Sequence, residues 1–412
     1  MADLDIDGIF GAATGDVDWP ALGRVRDACP VAHLSDGLLM LTRHGDVSDG
    51  FRSAGAAGGF SHEGGMRPPG VKVHDDERLM SEMDGPWHAA IRKLVMTALH
   101  PRLVNAAEPF VRRTAGELLD ALVDAGGGDV VADFAVPIPS QVLAHLVGLP
   151  RADYPRFKAW SDRVVWDVKA APAPRPDGYL PRFEESHPEF AAYLDDAMDD
   201  RQRHPRDDLV SRLLSAEADG VRLSRRQIRV LVMHLVIAGN ETTAHLIANL
   251  LGRLIADPAL YRAVRADRSL LAAAVEESLR LDPPVLGRPL MCTRPRKLHG
   301  QELRPGTRVM MAIAGANRDG RAFADPDRFR LDRPASPQHV AFGGGPHFCP
   351  GAQLARLEAR VAVDVFCDRV SSARVAPGWK RQKVAVLWAN GPEDLPVSLL
   401  GGAPDGAGGG EG

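Results

Sequence analysis

The rhythm of apolar positions changes along the chain. Up to about residue 85 they are sparse and interrupted by Gly, Pro and Asp; Leu38 to Thr42 reads as a strand, and GGFSHEGGMRPPGVK (Gly58 to Lys72) as a loop. From Pro86 onward they recur every three or four residues. That spacing predicts helices over HAAIRKLVMTALH (His88 to His100), Ala107 to Ala125, Pro155 to Val168 and His187 to Arg203. Between the last two, APAPRPDG (Ala171 to Gly178) is an irregular connector, because proline lacks an N–H and has a fixed φ. Short β-prone pieces follow late, at Lys297 to Gln301, Arg308 to Ala312 and Val384 to Trp388. This order predicts a mainly α protein with small β-sheets (α+β). Residues 1–400 are expected to form one domain, and the tail 401–412, GGAPDGAGGGEG, is too poor in apolar groups to fold.

One stretch is apolar nearly all round. Ile228 to Ala256 marks a helix buried at the centre of a large protein, ~40 Å long at about 1.5 Å per residue. His234, Asn240, Glu241, Thr242, His245 and Asn249 interrupt it, which argues against a membrane span. AGNETT (Ala238 to Thr243) places Gly, an acid and hydroxyls in mid-helix, where they weaken the helix unless they serve a purpose. Thr242 can bond back to the Ala238 carbonyl, bending the helix beside Gly239. By itself the pattern also fits a packing kink with a satisfied Glu. His234 is the odd residue in the apolar run Val232 to Ile237, on roughly the face of Ala238 and Thr242. It is either a core histidine bonded to a neighbouring helix or a hydrogen-bonding group for a bound molecule.

Composition narrows the class. With 412 residues, 45% hydrophobic and 25% charged, the chain has material for a substantial core. A net charge of -4, with both signs interspersed, gives no electrostatic case for nucleic acid or an anionic membrane as partner. Its four cysteines, Cys29, Cys292, Cys349 and Cys367, are scattered, so neither a disulfide framework nor a zinc knuckle is suggested and a reducing compartment fits. The acidic N-terminus carries no export or lipidation signal, which leads to an expectation of a soluble, cytoplasmic protein.

Cys349 stands in FGGGPHFCPGAQLAR (Phe342 to Arg356), directly before a strong helical pattern. The spacing predicts Cys349 as the N-cap and Pro350 as the first helical residue. There the helix dipole and free N–H groups would lower the thiol pKa and suit the sulfur to a metal. A lone thiolate suggests an iron already held by four other atoms, as in haem. A buried structural cysteine and, more weakly, a phosphate loop remain compatible with the segment alone, although no GK[ST] follows.

Five motifs together resemble the cytochrome P450 superfamily in its soluble bacterial form, and the resemblance covers about Asp84 to Leu399. They are GPWHAAIR with His88 and Arg92, AGNETT, EESLR with Glu277 and Arg280, PDRF with Arg328, and the Cys349 segment. The resemblance implies a cytochrome P450 fold with a long central helix over haem b (iron protoporphyrin IX), Cys349 ligating the iron. It implies Ala238, Phe342 and Gly351 against the haem, and His88, Arg92, Arg288 and His339 as cations for its propionates. Glu277, Arg280 and Arg328 become a structural charge cluster, in which losing one partner would cost about 3–5 kcal/mol.

The implied activity is that of a monooxygenase. One atom of O2 enters a C–H bond of a bulky, mainly apolar small molecule, by hydroxylation or epoxidation, and the other leaves as water. Glu241 and Thr242 are the implied catalytic pair that delivers protons. Electrons would come from NAD(P)H through a separate ferredoxin reductase and ferredoxin, with Arg102, Arg356 and Arg360 as candidate docking residues. His234, Ile237, Val285, Leu286, Ala389 and Asn390 are the candidate substrate contacts, together with the Gly58 to Met83 loop and the Ala171 to Gly178 connector. The alternatives are oxidative coupling or rearrangement without oxygen insertion, and a non-catalytic haem-binding or recruiting protein. Two departures from the family pattern stand out. Pro350 replaces a common Leu after the cysteine, and Asn390 stands where relatives often carry Arg.

Overall fold

In the computed structural model the described residues are 5–11, 15–34, 38–55, 58–67, 70–170, 173–218, 220–336 and 338–401. The tail from 402, the start of the 171–178 connector and positions 68–69 of the Gly58 to Met83 loop lie outside them.

Helix dominates, as the periodicity predicts. Gly85–Ala98, Glu108–Asp124, Tyr154–Ala170 and Pro188–Arg203 coincide with the four expected helices to within a few residues. The central helix runs from Arg225 to Ala256. Its start is set by a capping box in which the Ser224 hydroxyl accepts the Gln227 N–H and the Gln227 side chain returns to the Ser224 N–H. It ends at Asp257, whose carboxylate caps the next helix, Pro258–Ala266. The central helix is long and apolar enough to cross a membrane. Here its apolar surface packs instead against Pro137–Val147, Tyr154–Ala170, Leu271–Leu281 and Ala352–Arg369.

A five-stranded sheet lies beside the helical layer in the order Val31–His33, Leu39–Leu41, Arg308–Met311, Arg288–Cys292, Phe60–Ser61. Its one parallel pair, Leu39–Leu41 with Arg308–Met311, joins the start of the chain to its last third. A smaller sheet pairs Val370–Val375, Pro396–Gly401 and Gly127–Asp129. Three local expectations change. The Gly58 to Lys72 segment contains the short edge strand Phe60–Ser61. Lys297 to Gln301 is the turn region of a hairpin, Arg296–Leu298 with Gln301–Leu303, through His299 and Gly300 at positive φ. Val384 to Trp388 is no strand: Lys383 donates to the Val384 and Val386 carbonyls and folds the backbone into turns, leaving only isolated bridges at Lys383 and Ala389.

Candidate active site

The Cys349 loop is shaped by close backbone approach. Gly345 sits at φ 59, and a Cβ there would lie 2.7 Å from the Phe51 carbonyl oxygen, so only glycine fits the turn. The Cys349 N–H bonds to the Phe342 carbonyl at 3.0 Å. The following helix, Ala352–Arg369, has Gly351 as its N-cap, which corrects the expectation that Cys349 would cap it. Pro350 belongs to the turn before the helix, and the Gly351 and Ala352 N–H groups face the sulfur from the helix start. The expected fall in thiol pKa is also reversed. Burial pushes the Cys349 thiol up, more than those N–H groups, Arg92 and Arg356 pull it down. A sulfur so placed becomes a thiolate when a metal cation compensates its burial. Among the described residues no cluster of three or more His, Cys, Asp or Glu could hold a metal. Cys349 therefore suits a metal that brings its other ligands with it, as haem does.

The central helix has an open middle. Ala238 is exposed although Val232 and Val236 on the same helix are fully buried, and a Cβ on Gly239 would meet nothing within 4 Å. Thr242 Oγ1 donates to the Ala238 carbonyl at 2.6 Å, as its spacing predicts. Glu241 Oε1 lies 3.9 Å from His245 Nε2 one turn on.

A second set of groups surrounds the loop. His88 is buried with Nε2 lacking a hydrogen-bond partner, and burial, then His347 and Arg92, pulls its pKa down to about 4. Its ring stacks on His347 at 3.9 Å, and His347 stacks on His62 at 3.7 Å. His347 Nε2 donates to Asp84 Oδ1 at 2.8 Å, and Asp84 also accepts from the Ser61 hydroxyl and the His62 N–H. Arg92 donates to the Phe348 carbonyl and Arg288 to the Ser81 carbonyl, each at 2.5 Å. An orphaned buried imidazole and two guanidiniums bonded to carbonyls rather than carboxylates fit a ligand that carries its own carboxylates, which the haem propionates are. His339 does not join them. Its Nε2 is held by Glu276 at 3.2 Å and its Nδ1 accepts the Ala341 N–H. The histidine brought beside His88 is His347, which the motif reading missed; its place two residues before Cys349 was the available signal.

The structural charge cluster is also corrected. Glu277 pairs with Arg280 at 2.8 Å as expected, but its second guanidinium partner is Arg333, whose Nε donates to both carboxylate oxygens at 2.7 and 2.9 Å, and the Arg330 N–H adds a bond at 2.9 Å. Arg328 is exposed and contributes only its backbone carbonyl, which accepts from Arg280 and Arg333.

Of the candidate substrate contacts, His234 lines a cavity with Asp75, Met80, Trp87, Ile91 and Leu231, where burial and then Arg288 lower its pKa to about 4. Ile237 is partly buried at the edge of the main core. Val285 is bridged to Ala389, which is fully buried. Leu286 packs instead with Ile6, Phe10 and Met310 in a separate cluster, because the strand it precedes carries it to the far face. Asn390 is buried with its polar groups occupied: Nδ2 donates to the Pro283 carbonyl at 3.1 Å and Oδ1 accepts from Arg381 at 2.8 Å. It holds this turn in place rather than offering a polar group to the cavity. Two proposed docking residues are likewise engaged, Arg356 with Glu276 and Arg360 with Glu108, whereas Arg102 is exposed.

Comparison with known proteins agrees with this geometry. The family model described as Cytochrome P450 matches residues 176–366. Cytochrome P450 107B1 of Saccharopolyspora erythraea is 37% identical over 322 residues, 77% of this chain and 76% of that protein. The cyclomarin C epoxidase CymV of Salinispora arenicola is 36% identical over 296 residues, 72% of this chain and 74% of its own length. Among solved structures, cytochrome P450 CYP109Q5 from Chondromyces apiculatus superimposes with a TM-score of 0.86 at 32% identity, covering 98% of this chain and 99% of that one.

Proposed function

The chain belongs to the cytochrome P450 family and is an oxidoreductase of the monooxygenase type, and on that premise we propose that it inserts one atom of O2 into a bulky, mainly apolar small molecule, by hydroxylation or epoxidation, as a step in secondary metabolism. The observation that carries this reading is the open middle of the central helix, where an exposed Ala238 and a turned-back Thr242 adjoin Glu241. When bound, haem supplies reductive activation of O2 at its iron, with electron donation from the thiolate.

The chain's own residues do the rest. Cys349 would hold the iron, and the Gly351 and Ala352 N–H groups would steady the charge on its sulfur. His88, Arg92, Arg288 and His347 would hold the propionates. Thr242, its proton committed to the Ala238 carbonyl, keeps its oxygen lone pairs for an incoming donor, and Glu241 is the acid beside it. His234, set in the cavity wall beside the apolar Met80, Ile91 and Leu231, orients the substrate by a hydrogen bond. The CymV relative is a cyclomarin C epoxidase, which supports epoxidation beside hydroxylation. Residues 1–400 act as one catalytic domain in the cytoplasm, with electrons passing from NAD(P)H through ferredoxin reductase and ferredoxin.

Two measurements test this. Reduced, haem-loaded protein should give the thiolate-type carbon monoxide band, and Cys349→His should abolish it. Turnover under labelled O2 should place one labelled atom in the product; a product without label would overturn oxygen insertion in favour of coupling.

A further inference from the structure

The central helix carries a polar column of which the oxygen chemistry described above uses only the first member, Glu241. Glu241, His245, Asn249 and Arg253 recur every four residues, which puts them along one slightly inclined stripe of an otherwise apolar helix. His245 is 5% and Asn249 6% exposed. Burying polar side chains here costs free energy that Phe or Leu at the same positions would not.

The far half of the column, Asn249 and Arg253, is connected to the surface. Asn249 Nδ2 donates to the carbonyls of Asp282 (3.1 Å) and Asn390 (2.7 Å). Its Oδ1 accepts from Arg381 at 3.3 Å. Arg381 pairs with Asp16, whose side chain is 41% exposed. Beside it, Arg253 and Arg318 share the Asp282 carboxylate. The chain opposite His245 is moulded to the imidazole. A Cβ at Gly391 would lie 2.0 Å from His245 Cδ2 and 2.8 Å from Nε2, so only glycine leaves room for the ring.

We propose that His245 is a positioning residue that holds Glu241 on the Thr242 side and replenishes its proton. His245 Nε2–H stands 3.9 Å from Glu241 Oε1, one side-chain rotation from a hydrogen bond. When Glu241 has given up its proton, the imidazolium passes its Nε2 proton to the carboxylate, leaving a carboxylic acid and a neutral imidazole; a hydronium ion from solvent then reprotonates the imidazole and leaves as water. No electrons move, and one N–H bond is exchanged for one O–H bond. The charged groups that face the column from other elements are Asp282, Arg318, Arg381 and Asp16.

The inference rests on the reading of Glu241 as proton donor, and the test separates the two. His245→Phe keeps a ring against Gly391 but removes both nitrogens, and His245→Gln restores one donor. With haem content and the carbon monoxide band unchanged, His245→Phe is expected to lower product formed per NAD(P)H by about 3- to 10-fold, below the range of a primary general acid, at unchanged KM. The missing electrons should appear as peroxide, and His245→Gln should recover at least half of the coupling. The second readout needs no turnover. In the diamagnetic ferrous carbon monoxide form, the His245 ring 15N signals are followed against pH in wild type and Glu241→Gln; losing the carboxylate should lower the His245 midpoint by about one unit. An unmoved midpoint, or wild-type coupling in His245→Phe, overturns the proposal. If Glu241→Gln itself leaves coupling intact, the reading of Glu241 fails instead. Should His245→Phe not bind haem, the midpoint comparison decides alone.

Discussion

Replacing Arg333 with Ala should destabilise the protein far more than replacing Arg328, although Arg328 is the residue in the PDRF motif. Arg333 donates to both oxygens of Glu277 and to the carbonyls of Ala324, Asp325 and Arg328, pinning that segment to the helix Leu271–Leu281. Glu277 is 3% exposed, so it cannot exchange the lost partner for bulk water. Breaking a buried ion pair from one side costs about 3–5 kcal/mol. Here Arg280 remains on the same carboxylate and Arg333 itself is partly exposed, which brings the expectation down to roughly 2–3 kcal/mol. With an unfolding entropy near ~2 cal/mol/K per residue, a chain of this length should lose about 3 °C in Tm. Arg328→Ala, which removes only an exposed side chain, should stay within about 0.5 kcal/mol. Arg333→Lys should fall between, since it keeps the charge and loses the planar fork. Thermal unfolding of the haem-loaded variants, followed by far-UV circular dichroism and the Soret band, gives all three values. Equal losses for Arg333→Ala and Arg328→Ala, or the reverse order, would refute the assignment.

Three further outcomes follow from the same geometry. Gly391→Ala forces a methyl into the His245 ring and should cost about 1–3 kcal/mol; adding His245→Ala should recover most of it, read as Tm in a double-mutant cycle. His347→Ala and His88→Ala should each speed haem loss to an apo-globin acceptor, whereas His339→Ala, which breaks only the Glu276 contact, should leave the rate near wild type; equal rates would put His339 back at the propionates. Glu358, buried on the helix Ala352–Arg369 with Oε2 lacking a hydrogen-bond partner, has its pKa raised by burial to about 8. A raised carboxyl pKa stabilises nothing above the folded value: the folded state holds a proton that the unfolded state has released, so stability falls as pH rises from about 4.5 to about 8. Glu358→Gln should therefore gain in Tm over wild type across that window and stay level above it; a gain independent of pH would show that Glu358 is ionised in the folded protein.

Much of this protein is legible in its sequence because the signals are local. Three- and four-residue periodicity placed the main helices, and the Thr242 back-bond to Ala238 follows from spacing alone. The Cys349 segment and AGNETT identified the chemistry because each needs particular residue types at fixed intervals. What tertiary structure decided is which partners long-range folding brings to those signals. PDRF pointed to Arg328, yet the turn through Asp325 and Pro326 turns Arg328 to solvent and delivers Arg333 to Glu277. The loop offered two histidines before Cys349; Glu276 took His339, and Asp84 with the His62 and His88 rings took His347. Leu286 and Asn390 were drawn into other clusters by elements distant in sequence. The sign of the Cys349 shift depended on how much protein closes over the sulfur, because desolvation sums over every neighbour while a motif records only those adjacent in the chain.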